Sequence, residues 1–284
     1  MTGTAGAEPR RPAQDRPAWT RESAALVLPQ RPALDITPAW AFDGATGRGV
    51  RVAVVDSGIE ADHPALEGCV DERAGAAVEI DARGEAHVVP GPHEDQLGHG
   101  TACAGIVHEL APEATVVSVR VLGRGLAGKG AALLAGLRWA VEQRFELINV
   151  SLGTTQRDWA LALHELCDEA YFEGLFVVTA ANNVAKPTFP ALYSSVTSVA
   201  CSLTDDPRRF HANPRPPTEF LARGVEVDVP WAGGGRFTAT GNSYAAPHLA
   251  GLAALVRSKH PGLPPFALKT VLWATAANAR EEDR

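Results

Sequence analysis

The stretch RVAVVDSGIEADHP, Arg51 to Pro64, sets the fold class. Its aliphatic run shows no polar alternation, so a strand built from it is buried on both faces, as in a parallel sheet covered by helices. The run stops at Asp56, and Ser57-Gly58 then supply turn chemistry. The same pattern returns in TVVSVRVL (Thr115–Leu122), ELINVSL (Glu146–Leu152) and LFVVTAA (Leu175–Ala181). Between and after these runs, Ala/Leu-rich segments with helical spacing cover Lys129 to Gln143, Trp159 to Glu173 and Ala245 to His260. Alternating strand and helix predicts an α/β three-layer sandwich, with a mostly parallel central sheet flanked by helices. In such sheets function collects beyond the C-terminal strand ends, where Asp56, Ser151 and Asn183 fall.

Composition narrows the function classes. The chain of 284 residues is long enough for one large α/β domain, and no composition shift after about residue 40 suggests a second. Its net charge is -7 and no Lys/Arg cluster exceeds a few residues, which argues against nucleic-acid binding. No apolar run reaches membrane-spanning length. The N-terminal MTGTAGAEPRRPAQDRPAWTRES lacks the apolar core of a secretory signal. Cys69, Cys103, Cys167 and Cys201 are scattered without a CxxC pair and are expected as free thiols. Together these features predict a cytoplasmic protein; they leave the oligomeric state open.

Three short motifs carry chemistry. GNSYAAPHLAG, Gly241 to Gly251, puts Ser243 on a glycine-led turn at the start of an apolar helix, whose free N–H groups favour negative charge nearby. DQLGHGTACAG, Asp95 to Gly105, supplies His99, and the opening stretch supplies Asp56. Each alone has a plainer reading: Asp56 as a metal ligand, ribose ligand or turn residue, His99 as a structural histidine, Ser243 as a helix cap. Their conjunction is what matters. A serine hydroxyl is a poor nucleophile at neutral pH and needs a histidine to take its proton, while a carboxylate holds that histidine in one tautomer.

The order Asp, His, Ser with these flanking glycines resembles the subtilases, the subtilisin-like serine peptidases, and the likeness runs from about Leu26 to Asn278. It implies a flexible extension over 1–25, a peptidase domain over 26–284, and catalytic roles for Asp56, His99 and Ser243. In FVVTAANNVA, Phe176 to Ala185, it gives the oxyanion donor to Asn183 and sets Asn182 where relatives have glycine, an exchange compatible with positive φ because asparagine tolerates it. Substrate backbone is implied to lie between Gly125-Leu126-Ala127-Gly128 and Ser151-Leu152-Gly153, bound by strand addition. Ala181, Asn182 and Thr188 would line the primary pocket, with Thr188 narrowing its floor toward small or medium apolar residues.

Phe189-Pro190 matches a turn where relatives have a cis bond, and sequence leaves its isomer open. Tyr244 follows the nucleophile where relatives carry methionine or similar, and is expected to narrow or underlie the cleft. Cys103 is expected beneath the triad. The segment Asp71 to Glu94 reads as an inserted loop or hairpin whose acids, with Asp95, lack calcium-ligand spacing; neither metal nor cofactor is expected. The implied partner is a peptide or protein substrate. Compact relatives without a prosegment suggest a restricted range such as precursor processing, with hydrolysis preferred over end-joining because no cap-sized insertion is present; an inactive peptide-binding relative is the alternative.

Overall fold

The computed structural model describes residues 35–123 and 129–279. Of the described residues, those from Ile36 onward belong to one compact unit. In chain order its elements begin with α1 (Pro38–Phe42), β1 (Arg51–Asp56), β2 (Ala76–Ile80), β3 (Ala86–Pro90), α2 (His99–Leu110) and β4 (Thr115–Arg120). They continue with α3 (Lys129–Glu142), β5 (Leu147–Val150), α4 (Ala160–Phe172), β6 (Phe176–Ala180), β7 (Thr197–Ser202), β8 (His211–Ala212) and β9 (Phe220–Arg223). Last come β10 (Val227–Trp231), β11 (Gly235–Ala239), α5 (Asn242–Lys259) and α6 (Pro265–Thr275). Among the described residues no helix is long and apolar enough to cross a membrane.

Nine strands form one sheet in the order β3-β2-β4-β1-β5-β6-β7-β9-β8, parallel except for the pairs β2–β3 and β8–β9 at its two edges. The period-two geometry of a strand divides the aliphatic runs between two cores. Val52 and Val54 pack with Leu249 and Leu255 of α5 and Val107 of α2, whereas Ala53 and Val55 pack with Leu133 and Leu137 of α3 and Leu163 of α4. That is why VAVV needs no polar residue: each of its side chains meets a helix layer. The segment Asp71 to Glu94 contains the β2–β3 hairpin, with β2 joined in parallel to β4. β10 and β11 form a separate hairpin against α2 and α5, through Val227, Val229, Ala239, Ala102 and Tyr244.

β1 lies between β4 and β5, so the chain leaves it on one side and returns on the other. A crevice opens where strand order reverses in this way, beyond the carboxyl ends of the strands. Asp56 closes β1 at that edge, Ser151 follows β5, and Ala181 to Asn183 follow β6.

Candidate active site

Asp56 is fully buried, and its Oδ1 accepts the Ser57 backbone N–H at 2.8 Å. His99 opens α2 with Nδ1 at 2.8 and 2.9 Å from the two Asp56 carboxylate oxygens. With that proton directed to Asp56, Nε2 is left as an acceptor, and Ser243 Oγ lies 3.0 Å away to donate to it. Burial pulls the His99 imidazole down; the Asp56 carboxylate, helped by Cys103, outweighs it and holds the ring well above its ordinary range. The helix that carries His99 is itself anchored. Asp95 Oδ1 accepts from Ser57 Oγ and the N–H groups of Leu97 and Gly98, and Oδ2 accepts from the Thr101 N–H and hydroxyl. A carboxylate there satisfies free donors of the first turn and complements the helix dipole. Counted among loop acids in the sequence, Asp95 is therefore a positioning residue.

Ser243 sits in the first turn of α5, which starts three residues before the expected Ala245. Pro247, four residues on, has no N–H to give the Ser243 carbonyl. Cys103 Sγ approaches that carbonyl at 3.7 Å, and lies 3.4 Å from Ser151 Oγ and 3.7 Å from Asp56 Oδ2. The thiol is completely buried, and burial pushes its pKa up against the opposing pull of His99. The Tyr244 ring lies 5.1 Å from the His99 ring and is nearly buried, so it underlies the imidazole. All four cysteines are free.

The two asparagines after β6 separate cleanly. Asn183 Oδ1 accepts the Asn242 backbone N–H at 2.8 Å, and its amide and the Ser243 hydroxyl face the same glycine: a β-carbon at Gly241 would touch both Asn183 Nδ2 and Ser243 Oγ at 3.5 Å. Asn182 turns the other way, donating to Thr188 Oγ1 at 2.6 Å and Lys186 O at 3.3 Å while accepting from Val184 N. Asn182 does not use the positive φ that asparagine tolerates: among the described residues, the non-glycine residues in that region are Glu67, Arg144 and Glu226. Its side chain, by spanning the loop from Val184 to Thr188, accounts for an asparagine at this place. Asn242 adds a second tie, donating to the carbonyls of Ala181 and Asn182 and accepting from Cys201 N.

Beside Ser243 lies a cleft of about 610 Å³. Ser151, Leu152, Gly153, Ala181, Asn182 and Thr188 all line it, together with Asn183. The other expected edge, Gly125, Leu126, Ala127 and Gly128, lies outside the described residues. A β-carbon on Gly153 would sit 2.4 Å from the Thr188 methyl, so the floor is tight there and Gly153 has no room for a side chain. An antiparallel bridge between Thr154 and Phe189 joins the two walls, and Phe189-Pro190 is cis. Thr155, Gln156, Trp159 and Gly130 also line the cleft, and sequence reasoning missed them. The Trp159 indole occupies the space a side chain at Gly130 would need and donates to Gln156 Oε1. The only advance signal was that Thr154 to Gln156 follow SLG directly.

Two trios among the described residues bring metal-ligating atoms within 4.8 Å of one another: Asp56, His99 and Cys103, and Asp81, Glu85 and His87. The first trio is already committed to the hydrogen-bond chain ending at Ser243. The second surrounds the exposed β2–β3 turn, where Asp81 accepts backbone N–H groups of Arg83 and Glu85.

Comparison with known proteins fits this geometry. A model described as the subtilase family matches residues 47–284. Subtilisin E of Bacillus subtilis (strain 168) is 32% identical over 257 residues, covering 84% of this chain and 63% of the relative, so the chain spans under two thirds of that relative's length. A cold-adapted subtilisin-like serine proteinase of known structure is 27% identical with a TM-score of 0.64, over 81% of this chain and 83% of its own. A lanthipeptide protease shares the fold at 24% identity and a TM-score of 0.61, over 78% of this chain and 77% of that one.

Proposed function

This chain belongs to the subtilase family, and on that premise we propose that it is a serine endopeptidase working through an acyl-enzyme on Ser243. The observation that carries the reading is the continuous chain Asp56–His99–Ser243, with the Asn183 amide facing Gly241 on the side where that hydroxyl also approaches it. His99 takes the Ser243 proton as Oγ attacks the scissile carbonyl, and returns it to the leaving nitrogen. Asp56 keeps Nδ1 protonated and stabilises the imidazolium. The oxyanion is met by Asn183 Nδ2 and the Ser243 backbone N–H, donors fixed before the reaction begins. Water then repeats the sequence on the acyl-enzyme.

The acyl segment of the substrate lies along Ser151–Gly153, and its side chain enters the cleft. The contact between Thr188 and Gly153 supports a preference for small or medium residues there. A restricted range, such as trimming of a precursor peptide, is the role we infer, in a reducing compartment where four free cysteines are at home. Labelling with a fluorophosphonate tests the central claim, because the reagent reacts with an activated serine. The intact protein should label and Ser243→Ala should not. An unlabelled wild type, or an undiminished Ser243→Ala signal, refutes the reading.

A further inference from the structure

The β10–β11 hairpin carries an apolar face that outruns its helix. Val227, Val229 and Trp231 alternate along β10, and Ala239 and Phe237 pair with Val227 and Val229, so all five side chains share one face. Val227, Val229 and Ala239 are buried against α2 and α5. Phe237 is 52% exposed, although it points the same way. Its ring packs on Trp231 at 5.1 Å between centroids, and the Trp231 indole lies on Gly98, where a β-carbon would approach within 2.5 Å. The exposed end of this face thus lies against Gly98, the residue that precedes His99 at the start of α2. The hairpin is pinned there: the Glu60 carboxylate accepts the N–H groups of Gly233 and Gly234, and His63 Nε2 donates to Gly235 O.

The chemistry says what should cover it. Among the described residues, the acyl cleft is lined by segments that follow β5 and β6, by Gly130 of α3 and by Ser243, and by none from α2 or the hairpin. His99 must hand its proton to the leaving nitrogen, so the leaving segment extends on the His99 side, away from that cleft. Resting on the peptidase reading, we propose that Trp231 and Phe237 form a shelf for a large apolar side chain at the start of the leaving segment, and so set specificity after the scissile bond. Trp231 provides the fixed wall, and Phe237 the uncovered area.

Acyl transfer isolates this shelf from the acyl cleft. A peptide ester forms the acyl-enzyme, which is then partitioned between water and an added amine, phenylalaninamide or glycinamide. In aminolysis the new C–N bond forms as the C–O bond to Ser243 breaks; the proton lost by the amine passes through His99 to Ser243 Oγ. The product ratio is internal to each acyl-enzyme, so differences in acylation rate cancel. The wild type should prefer phenylalaninamide over glycinamide by on the order of tenfold, the effect of covering about half a phenylalanine side chain. Phe237→Ala should reduce that preference to about twofold, and Phe237→Leu should keep most of it. An acyl-enzyme that forms but shows no preference in the wild type, or an undiminished preference in Phe237→Ala, overturns the shelf and leaves the peptidase reading standing. Absence of any acyl-enzyme in the wild type overturns both.

Discussion

His248 should make this fold acid-sensitive in a way that one substitution can isolate. It lies inside α5, five residues after Ser243, and is completely buried. Nδ1 donates to Tyr244 O at 2.8 Å, while Nε2 is buried without a partner. Burial first, and then the charge of Arg223, push its pKa down to about 4 from an ordinary 6.5. A depressed histidine is neutral when folded and protonated when unfolded between those values, so stability is full above pH 6.5 and is lost as pH falls toward 4. Between pH 8 and pH 5 the two populations imply a loss of about 2 kcal/mol from this residue alone. Urea unfolding on a Ser243→Ala background, which excludes self-digestion by the proposed peptidase activity, would measure it. His248→Leu should start with a different absolute stability but lose about 2 kcal/mol less than its parent over the same interval. His99, whose raised pKa works with the opposite sign, and His93, which burial pushes down, are common to both proteins and cancel. Equal losses in parent and variant would refute the argument.

Asn183→Ala should lower kcat by about two to three orders of magnitude with little change in KM, a loss known from subtilisin rather than worked from this structure; steady-state kinetics on a peptide anilide would read it. Asn182→Gly should mainly raise KM, because it frees the loop to Thr188 and removes no transition-state donor; a kcat loss as large as that of Asn183→Ala would reverse the two roles. The acid limb of kcat/KM should inflect above pH 6.5, since His99 must lose a proton that Asp56 helps it retain, and Asp56→Asn should move that limb to lower pH in a pH–rate profile. Gly98→Ala should cost about 2–4 kcal/mol in denaturant unfolding, combining a φ of 93° with a collision against Trp231.

Much of the architecture was legible in the chain because it depends on local pattern. Uninterrupted aliphatic runs gave β1, β4, β5 and β6 to within two residues at each end, and the helical segments between them could only cover the two faces of a sheet. Asp56, His99 and Ser243 were equally legible, each being marked by its own neighbours. The structure joins them across sequence separations of 43 and 144 residues. Other features left no local mark. Asp95 looks like one acid among many in a polar stretch until the turn folds its carboxylate under the first turn of α2. Asn182 and Asn183 are chemically identical neighbours, distinguished only by which way each side chain leaves the strand end, and hydrogen-bond partners at Thr188 and Asn242 decide that. Trp159 meets Gly130, and Trp231 meets Gly98, through pairings of a large ring with a missing side chain, which have no period and no fixed spacing. Sequence determines which residues can do chemistry and which segments must be buried; tertiary packing decides which surfaces are left uncovered beside them, because exposure depends on what the rest of the chain places overhead.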